Sequence, residues 1–153
     1  MADASSGLAD FVSSMGGDRA LRVEESLGEG FVRLRVAEAE RRQAKHDVRC
    51  VEDAVIEMLR NARDAGARHI YVATAREGDL RTTTMLDDGS GIPADMHDRV
   101  FEARVTSKLE SVRMDRWGIH GRGMALFSIR ENAVSAEVVS SAPGKGTAIR
   151  VVT

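Results

Sequence analysis

The chain has 153 residues, 42% of them apolar and 30% charged, with a formal net charge of -2. That length suits one domain with one sizeable core, and the near-neutral charge speaks against a dedicated nucleic-acid binder, which needs a strongly basic surface. No apolar run approaches the roughly 20 residues of a membrane span, no cationic leader opens the chain, and the single Cys50 excludes an internal disulfide or a cysteine-based zinc site. A cytoplasmic protein with no membrane attachment is expected.

Residues 1–18 are rich in Ala, Ser, Gly and Asp and read as a flexible N-terminal tail, leaving 19–153 as a single domain. Ala20–Ser26 and Phe31–Val36 flank Leu-Gly-Glu-Gly, and Val32, Leu34 and Val36 alternate with arginines, the pattern of a strand hairpin. Residues 37–46 are polar and helix-prone. From Asp47, an N-cap candidate, to Ala65, the residues Val51, Ala54, Val55, Met58, Leu59 and Ala62 recur at steps of three and four. This predicts the strongest helix, stopped by Gly66, with Cys50 buried inside it.

His69–Thr74 and Leu80–Leu86 read as strands around Glu77-Gly78-Asp79. A short helix, Ala94–Phe101, leads to a polar stretch at 102–117 and then to a helix from Gly123 to about Asn132. Ser135–Ser140 and Thr147–Val152 close the chain as strands. The fold class predicted is α+β, a two-layer sandwich with helices on one face of a mainly antiparallel mixed sheet. Between Arg99 and Arg130, seven Lys or Arg stand against three Asp or Glu, which is either a solvated surface or one that holds phosphate.

Four short stretches carry chemistry. In EMLRNARDA, Glu57, Asn61 and Asp64 are spaced four and three apart and share one side of the helix. On their own they could be a solvated helix margin, yet an amide between two carboxylates is also an oxygen shell suited to magnesium. In LDDGSGIP, Gly89 and Gly91 permit close backbone approach, and Asp87 at the strand end can accept from an exocyclic amine. An ordinary Asp-Gly turn is the other reading. Gly118, Gly121 and Gly123 run into a helix whose N-terminal N–H groups suit phosphate, without the spacing of a Walker A or Rossmann loop. The fourth stretch, SAPGKGTAIRV, is in isolation a hairpin turn.

In this order and spacing the four resemble the motifs of the GHKL ATPase superfamily: gyrase B subunits, the heat-shock chaperone, histidine kinases and MutL-type repair proteins. EMLRNARDA looks like its N box, residues 87–93 like its G1 box, 118–124 like its G2 box, and GKGT at 144–147 like its last motif. The resemblance spans about residues 48–152. It implies a Bergerat-type sandwich that holds ATP, with Asp87 and Thr147 at the adenine and Asn61 as the magnesium ligand. Asp64, Ala65, Gly89, Gly91, Ile92, Gly118, Gly121, Gly123 and Met124 would then lie around the nucleotide, under a lid at 102–117 whose cation is Lys108.

Glu57 separates the branches. A glutamate opening the N box is the general base of the hydrolysing branches, where typical histidine kinases carry Asn or His. DAGARHIYV and Thr106-Ser107-Lys108 look most like MutL. The chain ends one residue past its last predicted strand, so no following domain is expected to supply a γ-phosphate lysine, and His46 lacks the helical hairpin of a phosphoacceptor. The reading is a stand-alone, Mg-dependent ATP-binding domain with weak or partner-dependent hydrolysis. It would take ATP/ADP and a protein partner, and no nucleic acid through this domain alone. The alternatives are a protein kinase of the anti-sigma or histidine-kinase type and a non-enzymatic ATP-driven switch.

Overall fold

The structure is a computed structural model, described here over residues 23–107, 113–115, 118–120 and 123–153. The predicted tail and residues 20–22 of the first predicted strand lie outside them. In chain order the elements are β1 (Val23–Gly28), β2 (Phe31–Leu34), α1 (Glu38–Asp47), α2 (Val51–Asp64), β3 (Ile70–Glu77) and β4 (Leu80–Asp87). Two 3-10 turns follow at Ala94–Met96 and Arg99–Phe101. Then come β5 (Val105–Thr106), β6 (Arg113–Asp115), β7 (Gly118–His120), α3 (Ala125–Asn132), β8 (Ser135–Ser141) and β9 (Thr147–Val152).

Two sheets and a small hairpin result. The main sheet runs β3-β4-β9-β8, a second runs β1-β2-β5, and β6 pairs with β7. Every pairing among the described residues is antiparallel. In the main sheet Thr83 faces Val151, Met85 faces Ile149 and Asp87 faces Thr147 across β4 and β9. Period-two alternation buries Thr83, Met85, Ile149 and Val151 on one side and exposes Leu80 and Leu86 on the other. The buried side meets Met58 of α2 and Ile129 of α3, together with Phe31, Met96 and Phe101. The α+β prediction with helices on one sheet face is therefore what the chain adopts. No helix among the described residues is long and apolar enough to cross a membrane.

The helix boundaries differ from expectation at one end. Asp47 is not an N-cap but the last residue of α1, and α2 starts at Val51 with an extended Cys50 before it. Buried Val48 explains the break: its extended backbone turns the side chain into the core between the two helices. Cys50 is consequently exposed, not buried in a helix. Of the predicted stripe, Ala54, Met58 and Ala62 are buried while Leu59 remains 38% exposed. At the other end Gly66 stops α2 as expected. Its φ of +74° lets Gly66 N–H reach the Arg63 carbonyl (2.9 Å) and Ala67 N–H reach that of Ala62 (3.0 Å).

The single helix expected at Ala94–Phe101 is instead the pair of 3-10 turns. They bury Met96, Val100 and Phe101, and the His97 ring nitrogen lies 3.1 Å from the Ile92 carbonyl oxygen, which folds the segment back on itself. Beyond them the backbone of Arg104 is left-handed (φ +63°). Its N–H donates to the Gly123 carbonyl (2.8 Å) and its carbonyl accepts from Leu34 N–H (2.9 Å). The Arg104 side chain is buried and its Nη2 pairs with Glu40 of α1.

Candidate functional site

A cleft of about 420 Å³ opens between α2, the end of β4, the start of α3 and the start of β9. This is within the usual range for a small-molecule site. Glu57, Asn61 and Asp64 line it from successive turns of α2, with Ala65 at the helix end. The helical period puts all of them on one face, as the spacing predicts. Asp87, the last residue of β4, lines it beside the C-terminal end of α2, directly across the ladder from Thr147, which opens β9. Gly123 and Met124 lie on the wall formed by the approach to α3.

The loop after Asp87 is stitched to its neighbours. Gly89 N–H donates to Asp87 Oδ1 (2.8 Å), so one carboxylate oxygen is fixed and the side chain is held in a single pose. Ser90 N–H donates to the Ala65 carbonyl (2.9 Å), and Gly144 N–H donates to that of Ser90 (2.7 Å). Gly91 and Ile92 line the cleft, whereas Gly89 is not among its lining residues. The space a Cβ would take at Gly89 holds Ala65, whose Cβ would be 2.9 Å away, so this glycine serves the packing of loop on helix. At Gly91 and Gly146 the approach is tighter and both are left-handed. A Cβ would overlap the Ala142 carbonyl at the first and the Asp87 carbonyl at the second.

Gly118 begins β7, opposite Asp115. Lys108 and Gly121 lie outside the described residues. No three His, Cys, Asp or Glu among the described residues converge as a metal cage. A hard cation here would take oxygen from one or two side chains and the rest from its ligand or water, the usual habit of magnesium.

Three features in and around the cleft have no place in the sequence reading. Ser141 is the first: its hydroxyl accepts from Ile92 N–H (2.7 Å), donates to the Gly146 carbonyl (2.8 Å) and lies 3.0 Å from Thr147 Oγ1. A hydroxyl has one proton, so with that of Ser141 on the Gly146 carbonyl the Thr147 hydroxyl donates to Ser141. Asp88 is the second. Its Oδ1 accepts from Arg68 N–H (2.7 Å) and His69 N–H (2.9 Å), while Oδ2 is 2.8 Å from His69 Nδ1. The His69 backbone N–H, then the His69 ring and the Arg68 N–H, hold the Asp88 carboxyl well below the usual carboxylate range. The third is Arg60, whose Nη1 pairs with Glu57 Oε1 inside the cleft. A lone Ser141 in a turn carries no signal in the sequence, and Arg60 none beyond its place one residue before Asn61.

A sequence profile for the histidine kinase-, DNA gyrase B- and HSP90-like ATPases matches residues 46–153. The chain belongs to this family. As a member of this ATPase family it is expected to bind ATP, and the matched span contains every described residue named above on α2, β4, α3 and β9. Among its relatives is the DNA mismatch repair protein MutL of Thermus thermophilus, 41% identical over 83 residues, covering 54% of this chain and 15% of that protein. MutL of Acidiphilium cryptum is 41% identical over 101 residues, 65% of this chain and 17% of that protein. The chain thus spans about one sixth of the length of these relatives. The overlay on the mycobacterial sensor histidine kinase MprB covers 80% of this chain and 74% of that one, with 20% identity and a TM-score of 0.45.

Proposed function

We propose that this domain binds ATP with magnesium in the α2–β4–α3–β9 cleft and hydrolyses it slowly, or rapidly only with a protein partner. The observation that carries the reading is convergence. Glu57, Asn61, Asp87, Gly123 and Thr147, scattered over some 90 residues of sequence, line one cleft of nucleotide size. In this reading Asp87 accepts the adenine amine through Oδ2, since Oδ1 is engaged by Gly89. The Thr147 hydroxyl, oriented by Ser141, completes the base end. Asn61 would hold the magnesium, which neutralises phosphate charge when bound. Gly123 and the N–H groups opening α3 face the phosphates.

Glu57 lines the far end of the same helix face and is the group that would take the proton from water attacking the terminal phosphate. General-base assistance of this kind is worth about 10²–10⁴-fold. Asp64, Ala65 and Ile92 line the cleft toward its Asp87 end. The partner is sought first among proteins acting on DNA, because the MutL relatives are named for mismatch repair. Calorimetric titration with ATP·Mg and ADP·Mg, followed by phosphate release in the same samples, tests the reading. Binding with slow release, lost as binding in Asp87→Asn and as release alone in Glu57→Gln, is the expected pattern. Binding of neither nucleotide would refute it, and binding with no release under any condition would leave a nucleotide-driven switch.

A further inference from the structure

The described lining of the cleft holds four carboxylates, Asp47, Glu57, Asp64 and Asp87, and among those residues a single cation, Arg60. A nucleoside triphosphate carries about four negative charges, so a cleft with this balance needs every positive group it can turn inward. Arg60 follows Glu57 by three residues on α2, and the two side chains pair at 21% and 24% exposure. An ion pair of this spacing and partial exposure shifts an equilibrium only about twofold. A guanidinium on a phosphate makes charge-assisted, often forked bonds worth tens of fold. The contact with Glu57 is therefore too weak to hold Arg60 once a phosphate arrives.

Position along α2 decides which phosphate. The C-terminal end of the helix is tied to the Asp87 loop, since Ala65 accepts from Ser90 N–H and packs against Gly89. At about 1.5 Å per residue, Arg60 lies roughly 7 Å and Glu57 roughly 12 Å further from that end along the axis. A triphosphate extends over such a distance beyond its nucleoside, which places Arg60 and Glu57 toward its terminal group.

We propose that Arg60 is a γ-phosphate-binding residue, parked on Glu57 in the ligand-free cleft and transferred to the third phosphate when a triphosphate binds, so that Glu57 is released only in its presence. The inference rests on the ATP reading above. It gives this domain a cation of its own for discriminating triphosphate from diphosphate.

Calorimetric affinities of the full chain for ADP and for a non-hydrolysable ATP analogue, both with magnesium, test it, with thermal melts of each variant. Wild type is expected to prefer the triphosphate. Arg60→Gln should lose at least tenfold in triphosphate affinity while ADP affinity stays within about twofold. Arg60→Lys, which keeps the charge, should retain most of the preference. Equal losses for both nucleotides, an unchanged ratio, or no triphosphate preference in wild type would overturn the assignment while leaving the ATP site standing. Failure of wild type to bind either nucleotide would instead bring down the ATP reading and this one with it.

Discussion

Gly144 and Gly146 sit two residues apart in the turn between β8 and β9, and both have left-handed backbones, with φ of +72° and +79°. Alanine in that region costs about 1 kcal/mol from backbone sterics alone. At Gly144 nothing lies within 4 Å of a new Cβ, so that cost is the whole effect. At Gly146 the same Cβ would overlap the Asp87 carbonyl oxygen and come within 2.9 Å of its carbon, and these are backbone atoms that no rotamer change can clear. Overpacking adds about 1–3 kcal/mol, for a total of about 2–4. At roughly 4 °C per kcal/mol for a domain of this size, Gly144→Ala should melt about 4 °C below wild type and Gly146→Ala about 8–16 °C below. Gly146→Ala should also weaken ATP binding, because relief of the overlap displaces the strand end that carries Asp87. The assay is a thermal melt of the two variants, with nucleotide titration of each. Equal melting temperatures would refute the claim that the turn is pressed against Asp87.

Asp87→Asn should fold with little loss of stability, because Asn keeps the oxygen that accepts from Gly89 N–H, and should lose ATP binding at least tenfold by calorimetry. Asn61→Ala should leave the magnesium-free affinity for nucleotide unchanged and abolish the gain that magnesium brings, read in the same titrations with and without the metal. Asp88→Ala should lower the melting temperature at pH 7. Since folding holds this carboxyl below its ordinary value of about 3.9, the wild-type advantage is full above that pH and is lost as pH falls beneath it. A melting difference that does not narrow below pH 4 would count against those hydrogen bonds as its source.

Much of this was legible in the residues, and the misses share a cause. The α2 stripe, the Gly66 stop and the alternation of β4 and β9 each depend on local periodicity or backbone sterics, which a sequence displays directly. Asp87 and Thr147 were named as cleft residues, but their direct opposition is a matter of strand register between distant segments. The same holds for Ser141, whose three partners come from 49, 5 and 6 residues away. Asp47 looked like a cap because Asp often is one. Burial of Val48 overrode that local preference and moved the helix start to Val51. The sequence shows that Gly89 permits a close approach, but that Ala65 and the Asp87 carboxylate occupy the space beside it is a matter of packing.

Arg104 and Gly123 are bonded backbone to backbone, and β5 beyond Arg104 is paired to β2. These bonds fix the backbone where the chain leaves β5 and where it approaches α3. The ladder joining Asp87 to Thr147 is held by register, since a slip of one residue would turn one of the two side chains away from the cleft. Strand register thereby fixes the base end of the cleft, while the approach to α3 is fixed by a backbone bond between distant loops.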